Sequence, residues 1–141
     1  MRVKIGVIDG QGGGIGSAII KQLKEILGES VEIVALGTNA IATAQMLKTK
    51  ANRGASGENA IVTTAPKMDV LVGPLSIVLA NAMMGELTPA MAEAVVACPA
   101  PKVLLPLTQE NVTIVGASKS PLPHLVEDLI TNHLVPMVND K

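Results

Sequence analysis

The chain has 141 residues, a formal net charge of -1, 48% hydrophobic residues, 16% charged residues and no Phe, Trp or Tyr. That is enough chain for one domain, 1–141, with a real core, and too little for the two halves of a full dinucleotide enzyme. Near neutrality without a basic patch excludes an electrostatic case for nucleic acid, and the missing aromatics remove base stacking, cation–π cages and a tyrosine acid.

Val3 to Ile8 is too apolar for a half-exposed strand and reads as one buried on both faces, as parallel sheets require. A helix is expected from Ile15 to Leu27, with Ile19, Ile20, Leu23, Ile26 and Leu27 inward and Gly28 as its stop. Val31 to Leu36 is the second buried strand. Gly37-Thr38-Asn39 turns, and Asn39 caps a helix over Ala40 to Lys50, with Ile41, Ala44, Met46 and Leu47 available to the sheet.

Asn52 to Gly57 reads as a glycine-containing loop with room for a very short strand before it. The spacing favours a helix from Glu58 to Ala65, although Ile61-Val62-Thr63-Thr64 has strand composition. Val70-Leu71-Val72 is a strand, and Gly73-Pro74 starts a helix expected to reach Met84. Thr88-Pro89 opens another helix to Ala97. Val103-Leu104-Leu105 is a strand, Val112 to Val115 an antiparallel edge strand, and Leu122 to about Val135 the last helix. Strands alternating with helices give a three-layer, Rossmann-like α/β domain with a mostly parallel sheet.

The functional signal is the stretch Asp9-Gly10-Gln11-Gly12-Gly13-Gly14-Ile15-Gly16 between the first strand and first helix. Strand, glycine loop and helix start together make an anion-binding arrangement, because backbone can approach closely and free N–H groups face outward. Five glycines between Gly10 and Gly16 are more than a tight turn needs. Thr38, Asn39, Ser56, Glu58, Asn59, Gly73 and Ser76 fall at the carboxyl ends of later strands, where open parallel sheets bind ligands. They predict a polar ring around the loop; each taken alone also fits a helix cap or first-turn role.

The loop resembles the Thr-Gly-x-x-x-Gly-Ile-Gly loop of short-chain dehydrogenases through Gly10, Gly14, Ile15 and Gly16, with Asp9 in the threonine's place. That resemblance implies a nucleotide phosphate over Gln11 to Gly14, so a nucleotide or dinucleotide is the candidate cofactor. Three departures argue against an ordinary dehydrogenase. No tyrosine exists for the Tyr-x-x-x-Lys pair. No acid follows the second strand to hold a ribose. Asp9 sets a carboxylate near the phosphate, and two like charges about 4 Å apart cost roughly 4 kcal/mol at an effective dielectric near 20. Asp9 must therefore turn away, bind loop N–H groups, meet a ligand hydroxyl or share a cation.

Over most of its length the chain is also similar to a small family of uncharacterised bacterial proteins. The stretches are Ile8–Gly16, Ala35–Thr43, Gly57–Val62 and Val72-Gly73-Pro74. The resemblance implies kinship and a compact α/β fold, with no activity attached.

Other residues give less. His124 and His133 are too far apart in sequence for one metal face, and Cys98 lacks a partner for nucleophilic work. Met83 and Met84 suit a core or interface, Asn81 and Glu86 a structural role near a helix end, and Gln109, Glu110 and Asn111 a turn bordering the cleft. The expectation is a small-molecule binding protein that takes a nucleotide or other phosphorylated ligand at the glycine loop. The alternatives are a small enzyme using Asp9 and Glu58, or a non-catalytic oligomerising subunit. No membrane-spanning run and no secretory leader are apparent, and one cysteine allows no internal disulfide; a cytoplasmic homo-oligomer follows as the expectation.

Overall fold

The computed structural model describes residues 2–140. Five strands form one sheet: β1 (Val3–Asp9), β2 (Val31–Gly37), β3 (Arg53–Ser56), β4 (Val70–Pro74) and β5 (Lys102–Leu105). Their order is β3-β2-β1-β4-β5 and every pairing is parallel. The chain winds outward from β1 in both directions, so the strand order switches between β1 and β4.

Alternation along β1 explains the three layers. Ile5 and Val7 face a core completed by α1 (Gly14–Leu27), α2 (Ala40–Lys48) and the C-terminal helix. Ile8 faces the opposite core, built with α3 (Glu58–Thr64) and α4 (Pro89–Ala97). Both sheet faces are thus covered, and Ile5, Ile8, Ile20, Leu23, Ile33 and Leu36 are fully buried.

The helix expected at 58–65 is α3, whereas the short strand expected before Asn52 lies inside the expected loop instead, as β3, pairing with Val34–Gly37 of β2. The C-terminal helix runs as α5 (Leu122–Asp128), a π-helical stretch (Leu129–Leu134) and α6 (Val135–Asn139). Pro136, which has no N–H to donate, lies just beyond the π-helical stretch.

Ile26, expected on the inner face of α1, is instead 45% exposed, and three larger expectations need correction. No antiparallel edge strand forms at 112–115: the segment 106–121 is irregular and Val115 is 95% exposed. β-Branched residues favour a strand only with a pleated neighbour to pack on, and this stretch has none. Local turn bonds from Val112 N–H to Glu110 and from Ala117 N–H to Ile114 take the backbone instead.

No helix spans 74–84. Pro74 ends β4, a single 3₁₀ turn covers Leu75–Val78, and Asn81, Met83 and Met84 then take left-handed φ values of +68°, +59° and +57°. The inner face of α2 is also displaced: Ala42, Thr43 and Met46 are buried, whereas Ile41 is 68% exposed. Met46 packs over Gly16, which fixes that rotation.

Ile20→Ala, at the centre of the α1 face, is expected to lose about 2–5 kcal/mol in urea unfolding. Val115→Ala is expected to stay within about 0.5 kcal/mol; a comparable loss at both positions would contradict this division of core from surface.

Candidate functional site

The glycine loop leaves the carboxyl end of β1 beside the strand-order switch, where open parallel sheets bind ligands. Gly13 has φ +76° and caps α1 with no side chain, and its Cβ position would collide with the Ala42 backbone. Glycine is needed there twice over: for the left-handed turn and for the approach of α2.

Asp9 takes the second of its four sequence options. It is 3% exposed, and its carboxylate turns into the loop. Oδ1 accepts from Gly10 N–H at 2.8 Å and Oδ2 from Gly16 N–H at 2.7 Å. Asp9 is therefore the anion at the start of α1, supplying the cap that Gly13 lacks. Burial pushes its carboxyl above the usual range; the N–H groups of Gly16, Gly10 and Ile15 pull it partly back, and the nearby Glu86 charge adds to the rise.

A second carboxylate closes the outer side of the loop. Glu86 Oε1 accepts from Gln11 N–H at 2.9 Å, Thr38 Oγ1 at 2.7 Å and Asn39 Nδ2 at 2.8 Å. Burial opposes its ionisation, but these three donors outweigh that and hold its carboxyl below the usual range. Asn39 also caps α2 by accepting from Ala42 N–H, so one residue joins the cap, the loop and Glu86.

Between the loop and the segment after β5 lies a cleft of about 260 Å³, lined by Asp9, Gln11, Ile15, Pro74, Ser76, Met83, Leu107, Thr108, Gln109 and Glu110. Ser76 donates to Thr108 Oγ1 at 2.9 Å, and Glu110 Oε1 accepts from Met83 N–H at 3.1 Å. These bonds tie the segments after β4 and β5 into one wall. The lining carries the carboxyls of Asp9 and Glu110 and no Lys, Arg or His. Its volume is below the roughly 300–1,000 Å³ common for drug-sized ligands.

The structure sorts the expected residues into three groups. Asp9, Gln11, Ile15 and Ser76 line the cleft. Gly10, Gly12, Gly13, Gly14, Gly16, Thr38 and Asn39 shape the loop and its rim, and open space lies above Gly12 and Gly14. Ser56 donates to Thr43, Glu58 accepts from Thr88 at the start of α4, Asn59 is exposed, and Gly73 sits against Ile8. None of these four lines the cleft, so Asp9 and Glu58 do not share it.

Leu107 and Thr108 were not anticipated; Met83, read as core or interface, is buried and also lines the cleft, and Glu86, read as structural, ties its turn to Gln11, Thr38 and Asn39. The signal available for the first two was their position just beyond strand Val103–Leu105, the neighbour of the switch strand. The partners of Glu86 gave none, because a helix expected through Met84 hides the turn that carries it. His124 and His133 border different hollows, and Cys98 is a buried free thiol against Ala65 O. Among the described residues no group of three or more His, Cys, Asp or Glu is arranged to hold a metal ion, and no helix is long and apolar enough to cross a membrane.

The two carboxyls differ in their stability linkage. Asp9, with a raised folded value, favours the fold below its unfolded value and loses that contribution as pH rises through its folded value. Glu86, with a lowered value, stabilises above its unfolded value and loses that contribution as pH falls through its folded value. Asp9→Asn is expected to cost about 1–3 kcal/mol at pH 7, because an amide NH₂ meets a backbone donor. In thermal unfolding, the wild-type advantage over Asp9→Asn should widen on acidification through roughly pH 4, whereas that over Glu86→Gln should shrink. Parallel trends would contradict the opposite environments.

No curated protein sequence matches the chain. A family model described as a domain of unknown function, DUF3842, matches residues 4–137, and the chain belongs to that family.

Proposed function

We propose that this protein binds a nucleoside-like small molecule in the cleft between the glycine loop and residues 107–110. The observation that carries the reading is the cleft's place: it opens at the β1–β4 switch, with the loop as one wall. Glu58 is held by Thr88, so nothing favours an enzyme built on Asp9 and Glu58.

Charge refines the ligand class. The expected phosphate site over Gln11 to Gly14 has its donors partly taken: Gln11 serves Glu86 and Gly13 serves Gly10 O, while the flanking Gly10 and Gly16 serve Asp9. Hydroxyl and amine groups suit a wall of carboxylates, and a phosphate is restricted to the open face above Gly12 and Gly14. A nucleotide or dinucleotide fits this reading through its nucleoside part. A cytoplasmic home is supported by the buried free thiol of Cys98, and self-association by Met84 and Val115, which are 96% and 95% exposed.

Calorimetric titration with adenosine, adenosine monophosphate and nicotinamide adenine dinucleotide tests the reading. The expected result is measurable binding of adenosine, tightened less than about tenfold by the added phosphate. Silence across the series at millimolar concentration overturns the reading. Binding only of the phosphorylated members would return the phosphate to the centre of the site.

A further inference from the structure

The amino ends of the strands carry a second hollow, at the other end of the sheet from the cleft and of opposite charge. Its volume is about 330 Å³, and Lys4, Arg53 and Lys67 line it with no Asp or Glu. The chain has 11 Lys and Arg against 12 Asp and Glu, so three cations and no acid around one hollow is a local excess.

Topology gathers these cations from distant parts of the chain. Lys4 lies near the start of β1 and, by alternation, on the sheet face of Ile8. Arg53 opens β3 opposite Val34 of β2, and Lys67 ends the 3₁₀ turn Ala65–Lys67 that leads into β4. β3 is the outermost strand on this side, so no further strand covers them. Glu32 Oε1 holds Arg53 Nη2 at 2.8 Å, yet the Arg53 side chain stays 63% exposed. The guanidinium is thus oriented through one nitrogen, with donors to spare. Among the described residues no ion pair includes Lys4 or Lys67. The nearby Asp69 carboxylate accepts from the Lys4 backbone N–H at 2.7 Å and lines a different hollow.

The floor between the cations is apolar: Val34 and Met68 are 4% and 6% exposed, and Ala55 packs in the same cluster. Cations around a shared floor repel one another, and an anion with an apolar body relieves that repulsion while covering the floor. The volume falls within the roughly 300–1,000 Å³ usual for small-molecule sites.

We propose that this hollow binds a small organic anion, its phosphate or carboxylate held by Lys4, Arg53 and Lys67 and its apolar body seated on Val34, Ala55 and Met68. The site is separate from the cleft and does not depend on what the cleft binds.

The test is an amide chemical-shift titration of the full chain with phenyl phosphate, benzoate and uncharged benzyl alcohol. Both anions are expected to move Arg53, Gly54, Ala55, Thr64 and Lys67, and to bind about tenfold or more tightly than benzyl alcohol. The double variant Lys4→Gln/Lys67→Gln should lose about five- to tenfold in affinity for the anions. Lys21→Gln/Lys48→Gln, which makes the same change of net charge at exposed positions elsewhere, should match wild type. No anion shifts at these positions at millimolar concentration overturn the proposal. So does an equal loss in both double variants, the mark of attraction by net charge alone, and so does benzyl alcohol binding as tightly as the anions. Cosedimentation with phosphatidylglycerol vesicles, together with silence from both free anions, assigns the phosphate to a lipid headgroup and overturns the small-molecule site. The comparison of anions with benzyl alcohol on wild type decides the matter even if the variant does not fold. Adenosine, which is uncharged, should leave these positions unmoved, so this site and the cleft stand or fall separately.

Discussion

The pairing of the Asp9 carboxylate with the N–H groups of Gly10 and Gly16 holds the centre of this molecule together. A buried carboxylate is costly unless hydrogen-bonded, and a helix start with no side-chain cap leaves donors unmet. Each defect answers the other. Because both oxygens are taken by the loop, β1 and α1 are fixed at a sharp turn, Gly16 comes under Met46, and α2 is drawn over Gly13. The charge of Asp9 is largely used up inside the loop, which changes what the loop can hold.

Two later segments complete the site from outside the first β-α unit. The turn at 81–87 delivers Glu86 to the rim and Met83 to the wall, and the stretch 107–110 closes the far side through Thr108 and Glu110. The two segments follow β4, at the switch, and β5, its neighbour, so the sheet order brings them together. Their chemistry is acidic and hydroxylic. The anions at this loop are the protein's own: Asp9 takes the N–H groups of Gly10 and Gly16, and Glu86 that of Gln11.

The buried strands were legible from the sequence because a run such as Val31 to Leu36 has too few polar residues for anything but a doubly covered strand. The helix over 58–64 was legible because Pro66 and the next strand leave little room for another. Val112 to Val115 misled because β propensity measures packing on a neighbour that a sequence cannot show. The turn at 81–84 misled because its left-handed residues include two methionines, which have no local preference for that conformation. For the same reason Glu86 was hidden: its place in the site depends on a turn that no pattern announces. Asp9 was identified as the decisive residue by charge alone, while its orientation needed the loop's full geometry.

The cleft at the β1–β4 switch is the proposed meeting place of this protein and its ligand. Amide chemical shifts during a titration with adenosine test it most directly, because the glycine loop fills its own region of the spectrum. Binding in the cleft is expected to concentrate the shifts at Gln11, Gly12, Met83 and Gln109, with the helices α3 and α4 unmoved. Shifts gathered instead along β3, or around His124 and Asp128, would contradict it.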